Sequence, residues 1–289
     1  MKYYFSIFLF FILFKGFSQD NQDYYGVIKL NDTSMISYRI YLEENEGLIS
    51  GYSVTDLGGE HETKNIIEGN YETKSNTLNF KETDIVYTKS PVNQFDFCYV
   101  HFNGNLRKIN KRVKLKGNFL GLFEDGTECI SGEIELMSFE KIENKAEKLD
   151  KVIQKTKKIS EEQKEKISIT KTMDTLRMNI LRKGQNLSMF TKTPFIELNI
   201  YDSGKIDGDM VSIYRNGNIY KENITVTKEK LKVKIPLKND ETKITIKAVN
   251  EGEFAPNTAQ IDFNDYTHYI ETKTSLSKSD TTTITVYRK

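Results

Sequence analysis

The stretch Leu115-Lys116-Gly117-Asn118-Phe119 decides how this chain is read, because variants of it recur. An apolar residue, one variable residue and then glycine appear again at Ile49-Ser50-Gly51, Ile67-Glu68-Gly69, Phe102-Asn103-Gly104 and Ile130-Ser131-Gly132. In three of the five an asparagine follows: Asn70, Asn105 and Asn118. Around these sites the chain alternates with period two, as in Tyr25-Val27-Lys29, Ser37-Arg39-Tyr41, Thr77-Asn79-Lys81 and Phe95-Phe97-Tyr99. That alternation describes half-buried strands. Glycine weakens a flat strand, so its return at equivalent places marks bends in a curved sheet. Lys74-Ser75-Asn76 and Glu124-Asp125-Gly126 are turn signals, and the spacing predicts about eight strands joined by hairpins.

Residues 19–138 are therefore expected to form an antiparallel β-barrel-like meander. On strand count and connectivity this region resembles a lipocalin-type barrel, a resemblance of architecture alone, since the chain has no Trp to seal a barrel base. Eight strands enclose either a packed interior or room for one small ligand. Phe97, Tyr99 and Phe119 are the residues expected to line such a pocket or fill such a core. Cys98 and Cys129 are the chain's two cysteines. In an oxidising compartment they predict one disulfide closing a loop of about 30 residues; the other reading is two buried thiols.

From Phe139 the period changes. Phe139, Ile142, Ala146, Leu149, Ile153 and Thr156 make an apolar stripe at helical spacing within a charged segment. This predicts a helix to about residue 170, either lying on one of the domains or forming a short coiled coil. Residues 171–191, with Lys183-Gly184-Gln185-Asn186, read as a flexible connector, so that 139–191 is helical linker plus connector.

Strand patterning returns in 192–289, at Phe195–Tyr201, Met210–Tyr214, Ile219–Val226, Leu231–Ile235, Lys243–Val249, Ala259–Phe263, His268–Thr272 and Thr282–Tyr287. Turns about every ten residues give the spacing of a β-sandwich. The pair of segments from Asp207 to Gly217 and from Ala248 to Ala259 resembles an Ig-like sandwich module of secreted Bacteroidetes proteins, with Ala255 where that pattern usually has proline. The resemblance implies a bacterial envelope setting and no particular activity.

Residues 1–18 differ from everything that follows. Lys2, an apolar run from Tyr3 to Phe14, and Gly16-Phe17-Ser18 before Gln19 read as a secretory signal peptide cut before Gln19. The expectation is an exported protein, periplasmic or on the cell surface, with no membrane-spanning segment after cleavage. Lys and Arg number 42 against 41 Asp and Glu. That balance argues against nucleic acid as a partner and leaves an envelope protein or a small apolar or glycan ligand.

Motifs for familiar catalysis are missing from the sequence: there is no Gly-x-Ser-x-Gly elbow, phosphate loop or Cys-x-x-Cys pair. His61-Glu62 opens like a zinc-protease motif, but Asn65 stands where the second histidine belongs. Asp202, Asp207 and Asp209 are candidate calcium ligands, or an ordinary turn before a strand. The function expected from these residues is non-catalytic binding or interaction in the envelope. A structural component of an envelope complex, or an unrecognised hydrolase, is the alternative.

Overall fold

A computed structural model describes residues 22–31, 34–91, 97–109, 112–156 and 178–288, with isolated positions between 159 and 174. The signal-peptide run and Phe95 lie outside the described residues. Eight strands follow one another: β1 (Gln22–Leu30), β2 (Met35–Asn45), β3 (Leu48–Thr55), β4 (Thr63–Glu72), β5 (Thr77–Thr88), β6 (Tyr99–Ile109), β7 (Arg112–Leu122) and β8 (Glu128–Ser138). Each pairs antiparallel with the next, and β1 pairs with β8, so the sheet closes into a barrel. On β2, Tyr38, Ile40 and Leu42 point inward and are buried while Arg39 and Tyr41 face out, which is the period-two pattern expressed in space. Phe80, Phe102, Leu115, Phe119, Ile134 and Leu136 complete the interior cluster.

The repeated glycines sit where strands of this narrow barrel crowd each other. A methyl group on Gly69 would stand 2.1 Å from the Asn79 carbonyl oxygen, and one on Gly117 would stand 2.2 Å from that of Asn103. At all five glycines of the repeat a neighbouring carbonyl oxygen lies within 2.7 Å of that position.

Strand β5 leaves the barrel. Its register against β4 skips Thr83 and Val86, since Ile67 pairs with Glu82 but Ile66 with Asp84, and Asn65 with Ile85 but Lys64 with Tyr87. Such bulges bend and twist a strand. Tyr87 and Thr88 then pair with Met189 and Ser188 of β10 (Asn186–Thr191). Beyond β10 the sheet continues through β18 (Thr281–Arg288), β15 (Glu241–Ala248), β12 (Met210–Arg215) and β13 (Asn218–Thr225), giving one sheet of 13 strands. A separate five-stranded sheet runs β14 (Leu231–Pro236), β11 (Phe195–Tyr201), β16 (Gln260–Asn264), β17 (Tyr269–Ser275) and β9 (Ile180–Arg182).

These two sheets form a sandwich. Leu187, Met189, Ile213, Ile246 and Ile284 from one share a core with Leu198, Ile200, Ile235, Ile261 and Phe263 from the other, and Val86 and Tyr87 of the barrel strand join it. The reading of 171–191 as a flexible connector is corrected for its last part. Residues 180–182 and 186–191 are sandwich strands separated by the turn at Gly184, so the sandwich begins before residue 192.

Helix α1 (Phe139–Lys155) lies against β1 and β8. Phe139 meets the Tyr25 ring edge-on at 6.4 Å and carries the Arg39 guanidinium 5.8 Å above its face. Of the stripe, Phe139 and Ala146 are buried, Ile142 and Ile153 are half-buried and Leu149 is exposed, as is Val152 beside it. The regular helix ends at Lys155, shorter than the predicted span, with Thr156 in an extended conformation.

Candidate functional site

The interior cluster fills the barrel, and a cavity of about 330 Å3 opens at one end. That end collects the last residues of β1, β3, β5 and β7 and the first of β2, β4, β6 and β8, beside the exit of β5 into the sandwich. Ile28, Leu30, Ile36, Phe97, Val100 and Ile130 supply apolar walls, while Thr55, Thr63 and Thr88 supply hydroxyls. Cavities of this kind, mostly apolar with a few placed polar groups, are what small ligands occupy.

The placed polar groups are Glu82 and Asn65. Glu82 is in phase with the inward residues Leu78 and Phe80 and is buried. Its Oε1 accepts from the Tyr38 hydroxyl at 2.9 Å and from Ser53 Oγ at 2.5 Å, and its Oε2 accepts from the Val100 amide at 2.9 Å. The Asn65 side chain adds a further hydrogen bond. Burial pushes the carboxyl upward from its ordinary value, and these donors oppose the shift without cancelling it. Asn65 is 5% exposed, lines the cavity, and its Oδ1 has no hydrogen-bond partner among the described residues.

Cys98 lines the same cavity and is disulfide-bonded to Cys129, with Cα atoms 6.1 Å apart. The bridge ties the segment entering β6 to β8 across β7, where a side chain on Gly121 would strike Cys98 Sγ.

Of the three aromatic residues expected at a barrel pocket, Phe97 and Phe119 line the cavity. Tyr99 does not. Val100 and Phe102 face inward, so the alternation turns Tyr99 outward onto Ile85 and Phe190, where burial raises its hydroxyl to about 12. Glu82 and Asn65 were not singled out by the sequence reading. The available signal was a carboxylate in step with the apolar alternation Leu78, Phe80.

The aspartates of the calcium reading serve as loop clasps. Asp202 Oδ1 accepts from Gly204 N at 2.6 Å, Asp207 Oδ2 from Phe254 N at 3.1 Å, and Asp209 Oδ2 from Thr258 N at 2.7 Å. Asn250 and Asn257 add bonds to the same turns, so the segments 207–217 and 248–259, paired by the sequence reading, do interlock. Among the described residues no group of three or more His, Cys, Asp or Glu is placed to hold a metal ion. His61 lies on an exposed turn with its Nδ1 3.2 Å from Ser90 Oγ, and Glu62 is instead buried against Lys89.

Compared with known proteins, the chain matches no family model, no curated protein and no solved structure. Among the described residues no helix is long and apolar enough to cross a membrane.

Proposed function

We propose that this is an exported, non-catalytic binding protein of the bacterial envelope that holds a small amphiphile in the mouth of its barrel. The observation that carries the reading is Asn65 Oδ1, a buried acceptor with no donor among the described residues, on the wall of a mainly apolar cavity. A buried acceptor left unsatisfied costs about 1–3 kcal/mol, and a ligand that donates to it recovers that cost on binding. The neighbouring Glu82 carboxylate favours a cationic donor, so the ligand is an apolar chain or ring with an amine head. The Cys98–Cys129 disulfide supports an oxidising compartment, in keeping with the signal-peptide reading.

Calorimetric titration of residues 19–289 with n-octylamine and with octanoate tests this. The amine binds and the carboxylate does not; Asn65→Leu abolishes amine binding, and a thermal melt shows that the variant stays folded despite losing the Asn65 hydrogen bond to Glu82. Equal binding of both amphiphiles, or of neither, overturns the reading.

A second reading, assembly into an envelope complex, is favoured by the exposed Leu149 and Val152 on the outer half of α1. Native mass spectrometry of protein from an exporting host separates the two: a small mass lost on denaturation belongs to the first, a co-purifying chain to the second.

A further inference from the structure

A larger cavity, about 580 Å3, lies outside the barrel, between its wall and the second sandwich sheet. One side consists of outward residues of β2, β3 and β4, including Arg39, Tyr52 and Lys64; the other consists of outward residues of β11, β16 and β17, including Tyr201, Gln260 and Glu271. The two walls are held in place by the hydrogen-bonded continuity of the sheet through β5 and β10, and by Lys89, whose Nζ bonds Glu62 at 3.1 Å and the Ile180 carbonyl at 3.2 Å. The cleft is therefore preformed, and clefts at such junctions are preferred ligand sites.

Several of its polar groups are already engaged. Arg39 gives its fork to Asp23 at 2.9 and 2.8 Å, Glu62 is neutralised by Lys89, and Tyr269 and Gln260 both donate to Asp262. Two are not. Asn179 is 8% exposed, lines the cleft, and neither its amide nitrogen nor its amide oxygen has a partner among the described residues. Lys64 holds its Nζ 3.9 Å above the Tyr52 ring, with no carboxylate within 4.0 Å among the described residues. Burial and the neighbouring Arg39 both disfavour its charge, and only Glu271 opposes them.

We propose that this cleft is a second binding site, for a small acidic saccharide. A carboxylate on the ligand pairs with Lys64, supplying the close partner that the more distant Glu271 does not. A hydroxyl or acetamido group both donates and accepts, which is what the unpartnered amide of Asn179 requires. The tyrosine-rich, largely polar walls offer no compartment for an alkyl chain, which distinguishes this site from the barrel mouth.

The experiment is calorimetric titration of residues 19–289 with digalacturonic acid, with the neutral disaccharide galactobiose and with the dipeptide Glu-Glu. Digalacturonic acid binds at least about tenfold more tightly than galactobiose, and its affinity falls as salt rises. Asn179→Ala weakens it by about tenfold without lowering the melting temperature, since its side chain makes no hydrogen bond among the described residues. Lys64→Met weakens it similarly and removes most of the salt dependence, and both variants retain any n-octylamine binding. Absence of digalacturonic acid binding, equal binding of galactobiose, tighter binding of Glu-Glu, or indifference to both substitutions overturns the proposal.

Discussion

Lys89 and Glu62 meet at 3.1 Å with their side chains only 2% and 3% exposed, at the point where the barrel passes into the sandwich. Glu62 also accepts from the Tyr87 hydroxyl at 3.0 Å and from the Gly58 amide at 2.6 Å, so its lone pairs are well used. Removing one member leaves the other charged, buried and unpaired. Lys89→Met is expected to lower unfolding free energy by about 3–5 kcal/mol. The double change Lys89→Met with Glu62→Leu recovers part of that loss. Urea denaturation followed by tyrosine fluorescence measures both, and a double variant no better than the single would contradict this account.

Glu82 gives the barrel a pH dependence of defined sign. Its folded value is raised by burial above the ordinary 4.5. A carboxyl raised on folding binds its proton more tightly in the native state, so its stabilising contribution is full below the unfolded value and lost as pH rises through the folded value. The stability of the parent minus that of Glu82→Gln should therefore decline as pH climbs from about 4 toward neutrality. A difference that grows over the same range would refute the assignment.

The disulfide closes a loop with a sequence separation of 31. In the chain-entropy model, replacing both cysteines by serine lowers stability by about 3–4 kcal/mol. Because Cys98 also lines the barrel mouth, n-octylamine binding should weaken in the same variant. The contrast to look for in chemical denaturation is a shifted midpoint in the oxidised parent alone, with reductant having no effect on the double serine variant.

Gly69→Ala is expected to be far more damaging than Gly126→Ala. The first forces a methyl against the Asn79 carbonyl oxygen at 2.1 Å, whereas the second meets nothing within 4 Å and pays only for its positive φ of 83°. Overpacking of this sort costs about 1–3 kcal/mol or more, against about 1 kcal/mol for the strained turn. Thermal melts of the two variants side by side would decide it.

The sequence was most readable where one face of a strand is buried and the other is wet. Phe195–Tyr201 was delimited to the residue, because Ile196, Leu198 and Ile200 alternate with residues on the opposite face. Strand β10 escaped because it lies inside the sheet between β5 and β18 and is buried along Leu187–Thr191, which erases the alternation. The site was less readable. Phe97 and Phe119 were found as aromatics of the barrel region, but Phe97 precedes β6 and reaches the cavity from outside the strand, whereas Tyr99, in the same alternation, is the first residue of β6 and faces outward. Asn65 and Glu82 were passed over because they are polar, although each is in step with a buried apolar residue of its strand, Ile67 and Phe80. The aspartate turn looked like a cation loop because sequence shows carboxylates and not the backbone amides that reach them.

The strand shared by barrel and sandwich also governs how the molecule would bear load. A pull on the chain after residue 288 reaches β18, then β10, and then the barrel through ladders of backbone hydrogen bonds lying side by side. The two halves should accordingly behave as a single mechanical body, giving way together under tension instead of extending in turn like beads on a string.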